Sequence, residues 1–203
     1  GVLRAVATDG HRLAMCELAT DVGDISDQQV IVPRKGVQEL QRLLDDTEDA
    51  VQVEIGSNHI RITTGELRFT SKLIDGRFPD YQRVIPQGAN KILGVNRELL
   101  RQALTRTSIL SNEKYRGIRL DISKNLLKIQ AHNPEQEEAV EELEVAYTDD
   151  SMLIGFNVTY LLDVLAAIDG TDVELYLSDA NSSALISKPG QDDCRYVVMP
   201  MRL

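Results

Sequence analysis

The sequence Ile154-Gly155-Phe156-Asn157 opens the stretch that decides the fold, since a helix pattern and two strand patterns follow it directly. The apolar positions are Leu161, Leu162, Leu165 and Ile168 for the helix, then Val173, Leu175, Leu177, Ala184 and Ile186 for the strands. Asn157 stands at the helix N-cap position, where its side chain can accept a backbone hydrogen bond. The stretch predicts an apolar segment, a capped amphipathic helix and two strands joined by a turn.

The same order of elements occurs twice more, upstream of this stretch. Leu93-Gly94-Val95-Asn96 precedes one copy, and Val30-Ile31-Val32-Pro33 precedes the other, with Pro33 expected at the first helical position. The apolar helix positions of these copies are Leu99, Leu100, Ala103 and Leu104, and Val37, Leu40 and Leu44. Their apolar strand positions are Ile118, Leu120, Ile122, Leu127 and Ile129, and Val51, Val53, Ile55, Ile60 and Ile62. The spacing is nearly constant, because Asn157 minus Asn96 is 61 positions and Asn96 minus Pro33 is 63. Such repeats are typical of supersecondary units that share a core, and they predict an α+β fold.

The composition is that of a globular protein, with 203 residues of which 42% are hydrophobic and 27% are charged. This balance excludes a disordered or fibrous chain. The apolar runs fall well short of the ~20 residues that a membrane helix requires, and no leader opens the chain, so we expect a cytoplasmic protein without a membrane partner. The net charge of −10 argues against simple DNA binding, because affinity for the phosphate backbone comes from lysine and arginine.

The chain opens without a methionine, directly on a hairpin pattern around Asp9-Gly10. We interpret residues 1 to about 27 as the second half of a further repeat unit, so the chain is expected to be a fragment. Turn-forming residues collect again at Asp75-Gly76-Arg77-Phe78-Pro79-Asp80-Tyr81. We place the domain boundary there, which makes residues 1–81 a partial domain and residues 82–203 a complete domain of two units.

Neither the cysteines nor the acidic residues form a recognisable metal motif. Cys16 and Cys194 lie in strand-like segments, so we expect two buried free thiols in a reducing compartment. A cluster of glutamates follows Asn133-Pro134, namely Glu135, Glu137, Glu138, Glu141, Glu142 and Glu144. It lacks the glycine and alternating oxygen ligands of a calcium loop and favours a solvated loop that runs into an edge strand. No metal and no cofactor are predicted.

The common enzyme motifs are missing from the sequence, including those of phosphate-binding loops, dinucleotide-binding folds, serine hydrolases and zinc proteases. His11 beside Asp9 and Arg12 could serve as a general base with an orienting carboxylate. A histidine after an Asp-Gly turn is more often a surface or packing residue, and no nucleophile stands beside it. We therefore predict no enzyme, and keep a small enzyme centred on His11 as an alternative.

An apolar run, Tyr196-Val197-Val198-Met199-Pro200-Met201-Arg202-Leu203, closes the sequence. Pro200 stops regular strand pairing and leaves Met201 and Leu203 in need of an apolar surface. Exposed methionines suit a groove that accepts several partner peptides. A terminal strand packed into its own core explains the run equally well, and composition leaves both alternatives open.

Six segments of the sequence together resemble one family. They are Thr8-Asp9-Gly10-His11-Arg12-Leu13, Val32-Pro33-Arg34-Lys35-Gly36, Asp75-Gly76-Arg77-Phe78-Pro79-Asp80-Tyr81, Ser111-Asn112-Glu113-Lys114-Tyr115-Arg116-Gly117, Asn133-Pro134-Glu135-Gln136-Glu137-Glu138-Ala139 and the closing run from Tyr196. In this order they resemble the bacterial DNA polymerase sliding clamps, the beta subunits of replicative polymerases. The resemblance implies the DNA clamp fold, in which each domain holds two strand-helix-strand-strand units with helices on one face of antiparallel sheets. It also implies a processivity factor whose three-domain chains close head to tail as a homodimeric ring, of which this chain lacks the first domain and the front of the second.

The resemblance further implies a hydrophobic pocket into which DNA polymerase subunits, the clamp loader, mismatch-repair proteins and other replication proteins insert a short linear motif. Its walls would be Thr8, Gly10, His11, Arg12 and Leu13 from the hairpin, Pro79 and Val84 from the linker, Asn157 and Tyr160 from the last helix, and Val197, Met199, Pro200, Met201 and Arg202 from the tail. An apolar groove of this kind receives leucine and phenylalanine anchors, while polar side chains fix the direction of the peptide. Asn181 departs from the small apolar residue expected here and makes one part of the groove more polar.

DNA contacts and ring closure are implied by the same resemblance. Arg34 and Lys35 match inner-face positions, and Arg116 is a further DNA-facing candidate. A ring holds duplex DNA by topology and without sequence specificity, so few basic residues are needed and the net charge is no obstacle. Ile109 and Leu110 match the apolar pair that meets the first domain of another subunit. Because that domain is missing, we expect this chain not to close a ring, and a stand-alone DNA-binding module is kept as the second alternative.

Overall fold

The computed structural model of the chain describes residues 1–20, 26–44 and 49–202. The chain forms two compact units, one of Gly1–Val22 with Tyr81–Leu203 and the other of Gly23–Asp80. The helices are α1 (Arg34–Leu44), α2 (Arg97–Ser108) and α3 (Val158–Ala167), with a short 3-10 turn at Tyr81–Arg83. The strands are β1 (Val2–Thr8), β2 (Arg12–Ala19), β3 (Gln52–Ile55), β4 (His59–Thr64), β5 (Leu67–Lys72), β6 (Lys91–Asn96), β7 (Gly117–Ser123), β8 (Leu126–His132), β9 (Glu138–Glu144), β10 (Met152–Asn157), β11 (Asp172–Leu177), β12 (Ala184–Ser187) and β13 (Cys194–Val198). Within the described ranges, no helix has the length and apolar character needed to span a membrane.

The larger unit contains two antiparallel sheets. One has six strands in the order β1-β2-β13-β12-β11-β6, and the other has four in the order β10-β7-β8-β9. Helices α2 and α3 lie against each other, and their residues Leu104 and Leu161 share one core with Ile118, Phe156 and Leu175 from the strands. The predicted α+β class with antiparallel sheets is confirmed.

Strand β7 shows how residue order positions the sheets. Ile118, Leu120 and Ile122 are buried, whereas Arg119 and Asp121 between them are only half-buried. Successive side chains of a strand point to opposite faces, and burying one large aliphatic side chain contributes about 1.5–3 kcal/mol. The apolar set therefore turns one face of β7 to the core and leaves Arg119 and Asp121 on the outer face.

The predicted helix caps at Asn96 and Asn157 are confirmed. The Asn96 side chain accepts a hydrogen bond from the backbone N–H of Leu99 at 3.0 Å, and the Asn157 side chain accepts one from Thr159 at 2.9 Å. Each bond satisfies one of the amide hydrogens that a helix start leaves without a partner. The predicted start of the first helix is one position too early, because α1 begins at Arg34 and Pro33 directly precedes it.

The smaller unit contains helix α1 and the three-stranded sheet β3-β4-β5. Ile60 and Ile62 on β4 are buried, as their alternation predicts. Within the described residues no side chain of α1 is buried, and Val37 on its predicted apolar face is 50% exposed. The spacing of apolar residues specifies the face of a helix that can be buried, but burial itself requires an element packed against that face.

The two compact units divide the chain differently from the predicted boundary between residues 1–81 and 82–203. The cause is strand pairing, because β2 hydrogen-bonds with β13, with Leu13 opposite Val197 and Ala14 opposite Tyr196. Residues from the two ends of the chain thus share one sheet. The assignment of sequence domains stays a prediction.

The prediction of two free thiols is wrong, because Cys16 and Cys194 form a disulfide. The two residues are 178 positions apart in sequence but directly opposite each other on β2 and β13, with Cα atoms 4.1 Å apart. A Cα separation of this order is needed before two cysteines can be bridged. Cysteine spacing alone could not reveal the bond, since only the pairing of these strands brings the residues together.

The acidic cluster forms a loop and then β9, which is an edge strand of the four-stranded sheet, as predicted. Glu141 on β9 accepts two hydrogen bonds from the guanidinium of Arg106, at 2.6 and 2.9 Å. These bonds lower the pKa of the Glu141 carboxyl below its ordinary value. Across the residues that the structure describes, no group of three or more histidine, cysteine or acidic side chains is arranged to hold a metal ion.

Candidate functional site

Local hydrogen bonds define the turn between β1 and β2. The Asp9 carboxylate accepts hydrogen bonds from the backbone N–H groups of His11 at 3.0 Å and Arg12 at 3.1 Å. The Thr8 hydroxyl donates to the Arg12 carbonyl at 2.8 Å, and Gly10 takes a φ of 87°, which favours glycine. An aspartate that bonds the backbone ahead of it in this way specifies the turn locally. The side chains of His11 and Arg12 are therefore presented together at the tip.

Arg12 joins this hairpin to helix α3. Its guanidinium bonds the carboxylates of Asp9 and Asp163, and its central carbon lies 4.5 Å from the centroid of the Tyr160 ring. The His11 ring also stacks with Tyr160, with the ring centroids 6.2 Å apart and an angle of 20° between the planes. Cation–π attraction and two ion pairs thus fix the Arg12 side chain.

The pKa values around Arg12 reflect these bonds. Burial raises the pKa of the Asp9 carboxyl, but hydrogen bonds from His11 and Arg12 lower it more, so the net pKa is below the ordinary value. For Arg12, burial lowers the pKa, and the bonds to Asp163 and Asp9 raise it above the ordinary value. Both groups stay charged at neutral pH, so the ion pair persists there.

The C-terminal tail after β13 is bound at two points. The backbone N–H of Met199 donates to the carbonyl of His11 at 2.9 Å, and that of Met201 donates to the carbonyl of Gly155 at 2.8 Å. Val197 is fully buried, whereas Met199 is 37% exposed. The first half of the apolar run is therefore a packed strand, as one alternative predicts, and the second half lies on the surface. A groove for partner peptides beside that second half stays a prediction. Leu203 lies outside the described residues.

An apolar cluster lies beneath the hairpin. Leu13, Met15 and Val197 are buried in it, and Val84 and Tyr81 pack against them. These residues come from three separate parts of the chain, and β2–β13 pairing brings them together. Residues in such a cluster can form the floor of a groove that accepts apolar anchors.

Asn157 is the N-cap residue of helix α3. Its side-chain oxygen accepts from Thr159, and its side-chain nitrogen donates to the Tyr115 carbonyl at 3.3 Å. Both ends of the amide are thereby engaged by the backbone. Asn157 fixes the first turn of α3, and Tyr160 projects from that turn.

A cavity of about 440 Å³ lies beside the tail. Of the predicted residues, Pro200, Met201, Arg202 and the divergent Asn181 line it. Its other lining residues were not predicted from the sequence, and they are Arg119, Leu153, Ile154, Gly155 and Ala180. One signal for them was present, because a glycine within a strand pattern often marks the close approach of another backbone, as Met201 approaches Gly155 here.

Two domain families of one protein match the chain over most of its length. The family described as the DNA polymerase III beta subunit, C-terminal domain, matches residues 82–202, and the central domain of the same subunit matches residues 2–80. The chain belongs to the DNA polymerase III beta subunit family. This result confirms the family indicated by the six sequence segments.

Individual beta sliding clamps are similar along the whole chain. The one from Pseudomonas aeruginosa is 59% identical over 203 residues, which is 100% of this chain and 55% of the relative. The one from Escherichia coli K12 is 54% identical over 201 residues, which is 99% of this chain and 55% of the relative. The chain thus spans about half the length of the beta sliding clamps that it matches.

Solved beta subunit structures share the fold. A crystal structure of the Pseudomonas aeruginosa sliding clamp gives a TM-score of 0.97 at 59% identity and covers 100% of this chain and 56% of that one. A Bartonella birtlesii sliding clamp, described as bound to griselimycin, gives 0.95 at 42% identity and covers 100% and 55%. A griselimycin-bound Pseudomonas aeruginosa clamp has also been solved, with a TM-score of 0.97. The DNA clamp fold is confirmed.

The remaining predicted residues can be described by their exposure and by the unit to which each belongs. Pro79 is exposed and belongs to the smaller unit, as do the exposed Arg34 and Lys35 in the first turn of α1. Arg116 is half-buried and donates a hydrogen bond to the Ser108 carbonyl at 3.2 Å. Ile109, just after α2, is 74% exposed, and Leu110 is half-buried.

Proposed function

We propose that this chain is part of a beta sliding clamp, a non-enzymatic processivity factor of the bacterial cytoplasm. In the whole protein, a homodimeric ring encircles duplex DNA and tethers polymerase subunits, the clamp loader and repair proteins. The tether is a groove between the β1–β2 hairpin, helix α3 and the C-terminal tail, which receives a short linear motif. The observation that carries the proposal is the convergence of these three elements on Tyr160 and Met199 in a member of the DNA polymerase III beta subunit family.

The groove has the chemistry that an apolar peptide with defined direction requires. The buried Leu13 and Val197 and the half-buried Val84 supply an apolar floor for leucine and phenylalanine anchors. His11 and Arg12 at the rim supply hydrogen-bond donors, and half-exposed Met199 adapts to differing anchors. Griselimycin is described as bound to two relatives, which supports a ligand-binding surface on this fold.

The decisive test is a fluorescence-anisotropy titration of a labelled peptide of the form glutamine-leucine-x-leucine-phenylalanine. We expect saturable micromolar binding to this chain and loss of that binding when residues 199–203 are deleted. Because the deletion also removes buried contacts, Met199→Ala provides a milder variant and is expected to weaken binding about three- to tenfold. Val140→Ala is the matched control, since Val140 on β9 is 45% exposed and distant from the groove in the sheet order.

Circular dichroism of every variant checks that it is folded. Absence of binding by the intact, folded chain would reject a self-sufficient groove. Equal weakening by Met199→Ala and Val140→Ala would reject its placement beside the tail.

For DNA we propose that Arg34 and Lys35 face the encircled duplex. Both are exposed in the first turn of α1, whereas the Arg116 guanidinium already bonds a backbone carbonyl and supports the loop before β7. This chain should bind linear duplex DNA more weakly than about 100 µM at physiological salt, because topology rather than phosphate affinity retains the DNA. Tight, salt-sensitive binding of a labelled linear duplex would instead favour a stand-alone DNA-binding module.

Ring closure through Ile109 and Leu110 is the third part of the proposal. Ile109 is apolar and 74% exposed, which favours its burial against a partner. Calorimetry can measure the association of this chain with a separately expressed first domain of a related clamp. Ile109→Asp should abolish that association. Leu126→Asp is the control, because Leu126 is also an exposed apolar residue, at 37%, but lies on β8. Equal effects of the two substitutions would contradict the assignment.

Catalysis at His11 is disfavoured by the contacts of Asp9. Its carboxylate bonds the backbone N–H of His11 and the Arg12 side chain, so it is engaged in the turn. We expect His11→Ala to weaken binding of the motif peptide by about 1–3 kcal/mol, as for a packed contact residue. A turnover that His11→Ala abolishes would overturn this assignment.

A further inference from the structure

Two arginines that have no carboxylate partner among the described residues line the cavity beside the tail. Arg119 lies on the outer face of β7, and Arg202 lies in the tail. Among residues 1–20, 26–44 and 49–202, neither guanidinium forms an ion pair or a side-chain hydrogen bond. Other arginines of the larger unit do form ion pairs, for example Arg106 with Glu141. The cavity therefore concentrates positive charge that the described residues leave uncompensated.

The local backbone keeps Arg119 accessible. Arg119 stands directly opposite Gly155 in the β7–β10 register, and glycine has no side chain to cover the guanidinium. The tail crosses at this same point, where Met201 donates to the Gly155 carbonyl. The cavity is thus lined by residues of the edge strand β10 and of the bound tail, and Arg119 is part of the same lining.

Asn181 also lines the cavity and brings a side-chain amide to it. The backbone N–H of Asn181 bonds the Asp179 carboxylate at 2.8 Å, while its side-chain amide makes no hydrogen bond with the described residues. Asp179 itself is engaged, because it accepts from the Ser182 hydroxyl at 2.7 Å, and this bond lowers its pKa. The Asn181 amide and two guanidiniums therefore offer donors to one ligand, and Leu153 and Pro200 offer apolar contact.

We propose that this cavity is an accessory subsite for an acidic residue flanking the linear motif of a partner protein. The occupant is a glutamate or aspartate side chain of that peptide, bound by Arg119 with help from Asn181 and Arg202. Charge complementarity selects it, since a carboxylate can accept paired hydrogen bonds from a guanidinium. This inference rests on the proposed function, and it adds a reason for partners with acidic flanks to compete better for the same groove.

The test uses the full chain and two pairs of labelled peptides carrying the glutamine-leucine-x-leucine-phenylalanine core. In one pair, two glutamates or two glutamines follow the core, and in the other pair they precede it. The expected result is roughly five- to tenfold tighter binding of the glutamate peptide in one pair at low salt, with the preference reduced at high salt. Arg119→Gln should remove the preference while leaving the glutamine peptide bound as before.

Lys128→Gln is the matched control, because Lys128 is also a half-buried cation in the four-stranded sheet but does not line the cavity. It should retain the preference for glutamate. Equal binding of both members in each pair, or a preference that survives Arg119→Gln, would overturn this inference and leave the proposed groove intact. Failure of every peptide to bind would reject the groove and the subsite together.

Discussion

The guanidinium carbon of Arg12 lies 4.5 Å from the centroid of the Tyr160 ring, which connects the β1–β2 hairpin to helix α3 across the site. Arg12 is also held by Asp163, which lies three residues after Tyr160 on the same helix. The hairpin and the helix are thus joined by both charge and stacking. Several groups at this junction can be tested separately.

The contributions of the Tyr160 ring and of its hydroxyl to peptide binding can be measured separately. Tyr160→Phe preserves a ring for Arg12 and His11 and should change affinity for the motif peptide by less than about twofold. Tyr160→Ala removes the ring and should weaken binding about tenfold or more. Anisotropy titration of both variants gives the comparison, and equal losses for the two variants would show that the hydroxyl, rather than the ring, contributes the binding.

The Cys16–Cys194 disulfide is expected to stabilise the larger unit. It cross-links residues 178 positions apart, so reduction should lower the free energy of unfolding by about 2–4 kcal/mol. Urea unfolding with and without a thiol reductant measures the difference. A variant with Cys16→Ser and Cys194→Ser is the control, because its midpoint must not respond to the reductant. An unchanged midpoint for the native chain would contradict a stabilising bond.

The cap of α3 should contribute measurably to stability. Asn157→Ala removes the acceptor for the Thr159 N–H and is expected to cost about 1 kcal/mol in urea unfolding. Asn157→Ser restores an acceptor and should recover part of that loss. The Asn96→Ala variant at the start of α2 should give a similar loss, since its side chain accepts from Leu99 in the same way. A neutral Asn157→Ala would mean that backbone or solvent replaces the cap.

Glu98 in the first turn of α2 has an unusually low pKa. Hydrogen bonds from Arg101 and then from Gln102 lower it to about 2. Since a lowered carboxyl pKa favours the folded state above the unfolded pKa, this contribution should be present at neutral pH and decline as pH falls from about 4.5 towards 2.

Carboxyl NMR titration tests this assignment. Arg101→Ala should raise the Glu98 midpoint towards its ordinary value of 4.5. The Glu141 midpoint is the internal control, because its lowered pKa depends on Arg106 and should not move. A Glu98 midpoint that Arg101→Ala leaves unchanged would assign the shift to another cause.

Much of the fold and part of the site follow from local sequence. Apolar spacing predicted α2, α3 and the strands around them, and short polar side chains predicted the caps at Asn96 and Asn157. The Asp9-Gly10 turn was predictable for the same reason, since its hydrogen bonds reach only two or three residues along the chain. Such features depend on the periodicity and backbone chemistry of a few consecutive residues.

Placement of the site residues from Thr8 to Arg202 came from the likeness of sequence segments to a family. Apolar spacing alone did not place His11 beside Tyr160, because the two residues belong to distant segments. Arg119 was not predicted as a site residue. A charged residue in an alternating strand pattern gives no indication that it lines a cavity.

The repeated units, the strand faces and the starts of α2 and α3 follow from the sequence alone, because these features depend on interactions between near neighbours. Only the tertiary structure decided that β2 pairs with β13, and with it the Cys16–Cys194 bond. It also decided that the tail binds across Gly155 and that Arg119 faces the cavity. These contacts join residues far apart in sequence, and the shared core, rather than any local preference, sets which of them meet.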